Sequence, residues 1–183
     1  EIRLSLVGSE MCIRDRVIMK RISSIALIIV LMAALFLSGC ALFEASPKTF
    51  TKAGMSITLT DRFTERDYVS FTAVYDSQYV AVFVLKEEFT LFEGSALGKN
   101  SSLNDYANAV ILANGLDVSP VTEDGLTFFT YQKENNGTDC TYFATVHKSD
   151  DAFWLIQFSA KTEQYESQKD NILTYAKSVS FSS

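Results

Sequence analysis

Few side chains in this sequence carry the chemistry of a catalytic or metal site. There is one histidine, His147, and outside residues 1–16 the cysteines are Cys40 and Cys140. Nucleophilic hydrolysis requires a nucleophile, a base and a group that orients the base, and no Gly-x-Ser-x-Gly segment accompanies His147. Its place at a strand end beside Lys148 favours a surface histidine at a hairpin. One histidine and one cysteine cannot complete a closed zinc site, so we predict no catalytic residue, no metal and no cofactor.

Neighbouring carboxylates are the remaining candidates for acid–base chemistry. Turns favour such residues, whereas the two carboxylates of a glycosidase normally meet from separated segments inside a cleft. The pattern therefore favours solvated turns, and a hydrolytic enzyme with an unrecognised carboxylate site stays open as the alternative. Each of the four pairs lies at a predicted turn or strand end: Glu65 with Asp67, Glu87 with Glu88, Glu123 with Asp124, and Asp150 with Asp151.

Cys140 lies within an alternating strand pattern and has no cluster of cationic residues beside it in the sequence. A reactive thiol normally sits in an electropositive environment, whereas a buried cysteine behaves as a small hydrophobic residue. We therefore predict that Cys140 is a packed core residue.

Cys40 ends a segment that has the parts of a secretory signal. Lys20 and Arg21 follow Met19 as a positive start, and Ile22–Leu37 is apolar apart from two serines. As a helix these 16 residues extend about 24 Å, which is less than the roughly 30 Å hydrocarbon core of a bilayer. The segment is therefore too short for a comfortable permanent span.

The four residues Leu37, Ser38, Gly39 and Cys40 resemble the lipobox of bacterial lipoproteins. In that family the signal is cut before the cysteine after its sulfur has received a diacylglyceryl group. The resemblance implies lipid attachment at Cys40, a membrane partner reached through that lipid, and a location on the outer face of the bacterial cytoplasmic membrane. Two acyl chains hold a protein stably, at about 0.8 kcal/mol per buried methylene. An uncleaved anchor helix is the alternative.

The chain divides into a leader, a signal and one domain. Residues 1–16 resemble a translated sequencing adapter, so we treat 1–18 as a non-native or adapter-derived leader. We expect a signal peptide over 19–39, a lipidated cysteine and tether over 40–52, and a single domain over 53–183. After the signal there are 11 Lys and Arg and 19 Asp and Glu, a net charge of −8 with His neutral. Such a chain repels a phosphate backbone, so we expect no nucleic-acid partner.

The domain contains two successive units, each with three predicted strands and a helix. Strands that are apolar on both faces must be covered on both sides. Ser102 and Asp105 form a capping box for the first helix, which Asn114-Gly115 terminates, and Thr162 is the expected N-cap of the second. The best-marked strands are Met55–Leu59, Val69–Tyr75, Tyr79–Lys86, Leu126–Lys133, Ala152–Ser159 and the short closing strand Val179–Phe181.

Asn136-Gly137 is the strongest hairpin signal in the chain. A two-residue turn there places Tyr131 opposite Tyr142 and Phe129 opposite Ala144, in pairs that set the register. Strands joined by tight hairpins are antiparallel. We therefore expect an α+β domain with an antiparallel sheet of about six strands and two main helices that cover it.

Several segments resemble a known group of domains: Thr58–Phe63, Val80–Glu87, Tyr106-Ala107 with Asn114-Gly115-Leu116, and Lys148–Phe158. These segments are similar to lipoprotein domains of unknown function from Gram-positive-type bacteria, whose fold resembles that shared by PsbP of photosystem II and the Ran-binding protein MOG. The resemblance implies an α/β/α sandwich around the antiparallel sheet. It implies no activity, because members of that fold bind different partners.

Two classes of function follow. The first is a membrane-anchored extracytoplasmic binding or accessory module for an envelope protein or a small ligand, and the second is the carboxylate enzyme. Clustered exposed Tyr and Phe side chains would support the first, and carboxylates that converge in a deep pocket would support the second. The missing catalytic set favours the binding module.

Overall fold

The computed structural model of the chain describes residues 45–182, and Ala45–Ser183 cluster as one compact unit. The predicted leader, signal peptide and lipobox residues, including Cys40, lie outside this range. The strands are β1 (Pro47–Lys52), β2 (Met55–Thr60), β3 (Thr64–Arg66), β4 (Ala73–Asp76), β5 (Ala81–Glu88), β6 (Val121–Glu123), β7 (Leu126–Asn135), β8 (Thr138–Lys148), β9 (Ala152–Lys161) and β10 (Ser180–Phe181). The α-helices are α1 (Leu103–Ala113) and α2 (Thr162–Lys177), and a 3₁₀ helix covers Phe89–Phe92.

Seven strands form the main sheet in the order β3-β4-β5-β9-β8-β7-β6, and all neighbours are antiparallel. A second, three-stranded sheet has the order β1-β2-β10. The predicted α+β class with an antiparallel sheet and two main helices is confirmed. No helix within residues 45–182 is long and apolar enough to cross a membrane.

The β7–β8 hairpin has the register that the sequence predicted. Tyr131 pairs with Tyr142 and Phe129 with Ala144. The turn residues Asn136 and Gly137 have φ values of 51° and 78°, which an Asn-Gly turn accommodates with little strain. Local turn chemistry therefore fixes which side chains lie on each face of the sheet.

Helices lie on both faces of the main sheet. One face packs against α2 and the three-stranded sheet, and we call it the closed face; its buried side chains include Val82, Ile156 and Phe158. The other face packs against α1 and the 3₁₀ helix, through residues such as Phe153 and Leu155. Because α1 covers only part of it, we call this second face the half-open face.

The two α-helices are capped differently at their N-termini. At α1 the capping box forms as predicted, because Asp105 N–H donates to Ser102 Oγ at 3.1 Å and Ser102 N–H donates to Asp105 Oδ2 at 2.9 Å. At α2 the N-cap position falls on Lys161, and Thr162 is already helical. The Thr162 hydroxyl accepts a hydrogen bond from Thr141 Oγ1 at 3.1 Å. The predicted N-cap at Thr162 is therefore wrong by one residue.

Several strand boundaries depart from the sequence prediction, most clearly those of β1, β3, β4 and β6. Pro47–Lys52, which we assigned to the tether, forms β1 because its alternation lets Phe50 pack under β2 in the closed-face core. The strand predicted over Val69–Tyr75 begins only at Ala73, and Phe71 N–H instead turns back to Tyr68 C=O at 3.1 Å. The short edge strands β3 and β6 have no buried residue and so carry no apolar alternation to predict them.

Candidate functional site

The four pairs of carboxylates do not converge on a common site. Three of them form ion pairs in different parts of the domain, and the fourth accepts a hydrogen bond from a tyrosine. The individual contacts are Lys52 with Glu65 at 2.8 Å, Lys177 with Asp124 at 3.0 Å, Lys86 with Asp151 at 2.6 Å, and Tyr106 Oη with Glu87 Oε2 at 2.5 Å.

The carboxylates act as structural partners. The hydrogen bond that Lys86 donates to Asp151 lowers the pKa of Asp151, and the hydrogen bond that Lys52 donates to Glu65 raises the pKa of Lys52. Glycosidase chemistry needs two carboxyl groups facing one substrate bond. The cleft beside α2 contains none of these carboxylates, and the cleft between Lys99 and Phe181 contains only Asp150.

His147 is less exposed than the predicted surface histidine. Its ring lies 5.9 Å from that of Phe181 on β10, and Nε2 is 3.1 Å from Thr145 Oγ1. Burial lowers the pKa of His147 to about 4. The surface position was predicted from the strand end alone, and it is wrong because the distant strand β10 folds back over this histidine. The hydroxyl that His147 contacts belongs to the fully buried Thr145, which a substrate cannot reach.

Cys140 is a free, partly exposed thiol at the far end of β8. The cross-strand register places it between Lys133 on β7 and Lys161 on β9. These two lysines are remote in sequence, which is why no cationic neighbour was visible there. The prediction of a packed core residue is wrong, because the half-open face leaves this end of β8 uncovered.

Metal binding finds no support in the described part of the chain. No group of three or more His, Cys, Asp or Glu side chains there is close enough to hold an ion. A closed site would need at least that many ligands.

The half-open face carries a connected set of aromatic and polar side chains, four of them at least partly exposed and one, Tyr142, buried, which we call the aromatic surface. It comprises Phe71, Phe83, Gln157, Tyr131 and Tyr142. The Phe71 and Phe83 rings lie 5.2 Å apart, and Phe83 stands opposite Gln157 across the β5–β9 pair. Tyr131 Oη donates to Gln157 Oε1 at 2.9 Å. The five side chains therefore form a continuous surface across the strands.

The two tyrosines of the aromatic surface are held rigidly. Their rings stack with centroids 4.8 Å apart and an angle of 5° between planes. Burial raises the pKa of Tyr131 to about 12, so its hydroxyl stays protonated and donates to Gln157. Rigid aromatic side chains with a polar tip are common in binding surfaces, because little conformational entropy is lost when they make contact.

An exposed apolar loop borders this surface between β3 and β4. Tyr68 is 59 % exposed, Val69 is fully exposed and Phe71 is 36 % exposed. One feature of the sequence indicates the position of this surface. The β9 face that holds Phe153 and Leu155 changes to polar residues from Gln157 onward, which marks where the cover by α1 ends.

A cleft of about 580 Å³ lies at the opposite side of the domain, beside α2. Its walls are the turn after β2, the β4–β5 hairpin and one side of α2. Its volume falls within the range of about 300–1,000 Å³ that is typical of small-molecule sites. Sequence reasoning did not find this cleft, because its three walls are far apart in the chain.

Comparison with known proteins identifies only structural neighbours. No family model matches the chain, and no curated protein matches it. A crystal structure from Bacteroides thetaiotaomicron is similar with a TM-score of 0.50 and 10% identity over 77% of this chain. This chain spans 50% of the length of that protein.

Two further structures are similar at lower scores. Cyanobacterial PsbP (CyanoP) from Synechocystis sp. PCC 6803 gives a TM-score of 0.48 with 13% identity, covering 76% of this chain and 94% of its own. LpqN of Mycobacterium tuberculosis, which is described as involved in cell envelope biogenesis, gives 0.39 with 11% identity, covering 76% and 91%. Neighbours at this level of identity indicate at most a shared fold.

Proposed function

We propose that this protein is a lipid-anchored extracytoplasmic module that binds an envelope protein through its aromatic surface. The observation that carries the proposal is that α1 leaves Phe83, Gln157 and Tyr131 partly exposed, while the equivalent positions of the closed face are buried. An exposed, rigid aromatic patch beside an apolar loop is characteristic of a protein interaction site.

The anchor in this proposal is Cys40, and its support comes from the lipobox-like sequence. Four residues lie between Cys40 and Ala45, so five residue-to-residue steps join them, and an extended chain covers at most about 3.5 Å per step. The domain would therefore start within about 18 Å of the anchored sulfur. Partners on the membrane surface or embedded in it would be within reach.

The hydrolytic alternative finds no specific support. A hydrolase of the carboxylate type would place two carboxylates around one cleft. The cleft beside α2 has no Asp or Glu in its lining. A binding role is therefore the better account of the described residues.

The anchor is tested by growing cells with an alkyne analogue of palmitate. We expect the full-length protein to be labelled and a Cys40→Ala variant to be unlabelled. Mass spectrometry should find Cys40 as the first residue of the labelled protein. An unlabelled native protein, or one that retains Met19, would refute the anchor.

The binding surface is tested by photo-crosslinking in intact cells. A photoreactive phenylalanine analogue replaces Phe71 or Phe83, and the matched control carries it at Leu91, which is 69 % exposed but lies past the other end of β5. We expect one discrete crosslinked product, shared by positions 71 and 83 and absent at 91. Equal crosslinking at all three positions would contradict a dedicated surface.

A further inference from the structure

The main sheet has an open edge at β7. The short strand β6 pairs only with Leu126–Phe128, so the rest of β7, Phe129–Asn135, has a neighbouring strand on the β8 side alone. We call Phe129–Asn135 the β7 edge. An edge strand presents a row of unpaired N–H and C=O groups to which another chain can pair.

The register shows which backbone groups of the β7 edge are unpaired. The Asn136-Gly137 turn has two residues, so the strand residues that flank it form a hydrogen-bonded pair, and alternate residues of β7 then bond to β8. The N–H and C=O groups of Thr130, Gln132 and Glu134 therefore point away from the sheet. All three residues are exposed, and these backbone groups have no hydrogen-bond partner within residues 45–182.

The β7 edge adjoins the aromatic surface. Tyr131 lies in the middle of the edge, where its ring stacks on Tyr142 and its hydroxyl donates to Gln157. Directly opposite side chains on neighbouring strands have Cβ atoms about 4.5–5.5 Å apart. A strand added beside β7 would therefore place one side chain against Tyr131, so the backbone edge and the aromatic surface form one continuous site.

The charged residues at the end of the β7 edge lack partners of opposite charge. Lys133 shares the half-open face with Tyr131, and Lys161 lies two strands further along the same row. Within residues 45–182, neither lysine has a carboxylate at ion-pair distance. On the other face, Glu134 and Asp139 stand directly opposite each other, and like charges in such a pair repel. The edge therefore favours a strand with a carboxylate beside Lys133 and a cation beside Glu134.

A second copy of this chain does not match the β7 edge. Two such edges that pair antiparallel about Lys133 would place this lysine opposite its own copy, and pairing about Glu134 would do the same with the carboxylate. Pairing about Gln132 would bring the turn of each hairpin against the end of β6. The occupant that fits the charges is therefore a segment of a different protein.

We propose that the partner of the aromatic surface adds an extended segment to the β7 edge, as an antiparallel eighth strand of the main sheet. This inference rests on the proposed binding function and specifies its partner. The segment bonds to the outward backbone groups of Thr130, Gln132 and Glu134. Its aromatic or aliphatic side chain packs on Tyr131, and a carboxylate two residues away meets Lys133. In this mode of recognition, backbone bonds supply affinity and alternate side chains supply specificity.

The test is calorimetric titration of the full-length protein, extracted in detergent, with a synthetic peptide. The probe is acetyl-Thr-Lys-Glu-Thr-Tyr-Thr-Val-amide. In the antiparallel register its lysine lies beside Glu134, its glutamate beside Lys133 and its tyrosine beside Tyr131. We expect a Kd below about 1 mM.

Methylation of the peptide backbone separates strand addition from binding through side chains alone. N-methyl groups on the second and third threonines remove the N–H groups that donate to Gln132 and Thr130, and should weaken binding at least about tenfold. The matched control peptide carries N-methyl groups on its glutamate and tyrosine, whose N–H groups face solvent. Its affinity should stay within about twofold of that of the unmodified probe.

Hydrogen exchange resolved by residue shows where the peptide lies. At saturating peptide, exchange should slow at least about fivefold at the amides of Thr130, Gln132 and Glu134. The control is the amide of Thr122, which also points outward but belongs to β6 and should be unaffected. Unchanged exchange at all three β7 amides would refute strand addition.

Two variants test the same contacts from the side of the protein. Gln132→Pro removes an outward N–H and should weaken the probe at least about tenfold, whereas Thr122→Pro makes the same change on β6 and should leave its affinity within about twofold. Lys133→Glu should also weaken the probe, and a peptide with lysine in place of its glutamate should restore binding. Fluorescence of Trp154, the single tryptophan, reports whether each variant is folded.

The inference and the proposed function can fail independently. Absence of heat at about 5 mM probe, or equal affinity of the two N-methylated peptides, would overturn strand addition. A discrete crosslinked product at positions 71 and 83 would then still support the aromatic surface as a binding site. Peptide binding without that product would support the edge and contradict Phe71 and Phe83 as contacts of the partner.

Discussion

The two faces of the main sheet are formed by the same strands but differ in how completely they are buried. On β9, Ile156 and Phe158 point to the closed face and are fully buried, whereas Gln157 between them points to the half-open face and is only partly buried. The closed face has the continuous cover of α2 and a second sheet, and the half-open face has the shorter helix α1. Alternation along one strand thus supplies a core on one side and a surface for binding on the other.

The largest expected effect is a difference in stability loss between substitutions on the closed face and on the half-open face. Phe158→Ala should lower the free energy of unfolding by about 3–5 kcal/mol, because it leaves a cavity in a fully buried region. Phe83→Ala, on the partly exposed aromatic surface, should cost about 1–2 kcal/mol. Urea unfolding followed by Trp154 fluorescence measures both. Equal losses would mean that the half-open face is as tightly packed as the closed one.

A pH effect should arise at the edge of the closed face, where β10 covers His147. Burial holds the pKa of this histidine at about 4, against about 6.5 when unfolded. Between these values the unfolded chain binds the extra proton, so stability should fall by about 2–3 kcal/mol as the pH drops from 6.5 to 4.

The measurement compares native protein with His147→Phe across this pH range. The variant lacks the titrating group, so its stability should fall less over the same interval, while the carboxylates contribute equally to both proteins. Parallel curves would show that His147 is already solvated in the folded state.

Substitutions of two buried tyrosines should change stability by intermediate amounts. Tyr106, under the half-open face, donates to Glu87, whereas the Tyr75 hydroxyl in the closed-face core has no hydrogen-bond partner among the described residues. Tyr106→Phe should therefore cost about 1–2 kcal/mol, because Glu87 loses its donor. Tyr75→Phe should be neutral or stabilising by up to about 1 kcal/mol. Thermal unfolding checks the pair, and a larger loss for Tyr75→Phe would reverse this assignment.

The smallest effect on stability should accompany a clear effect on partner binding. Val69 is fully exposed in the loop beside the aromatic surface, so Val69→Ser should change stability by less than about 0.5 kcal/mol. The same change should reduce crosslinking from position 71 severalfold. An unchanged crosslink yield would place the partner elsewhere on the molecule.

Features set by neighbouring residues were predictable. The Asn136-Gly137 turn fixed the β7–β8 register, and the Ser102 and Asp105 side chains marked the start of α1. Both features depend on the backbone angles and hydrogen bonds of residues close together in the chain. Strands without an apolar alternation, such as β3 and β6, left no comparable signal.

By itself the sequence determined the period of the long strands β5, β7 and β9, the ends of α1, the acidic charge and the lipobox-like segment, since these depend on residues close together in the chain. Only the tertiary structure decided which face stays half-open, that β10 encloses His147, and that Arg62, Tyr79 and Gln168 share one cleft. Those outcomes depend on packing between segments up to about 100 residues apart, and no local pattern encodes the order in which distant elements meet.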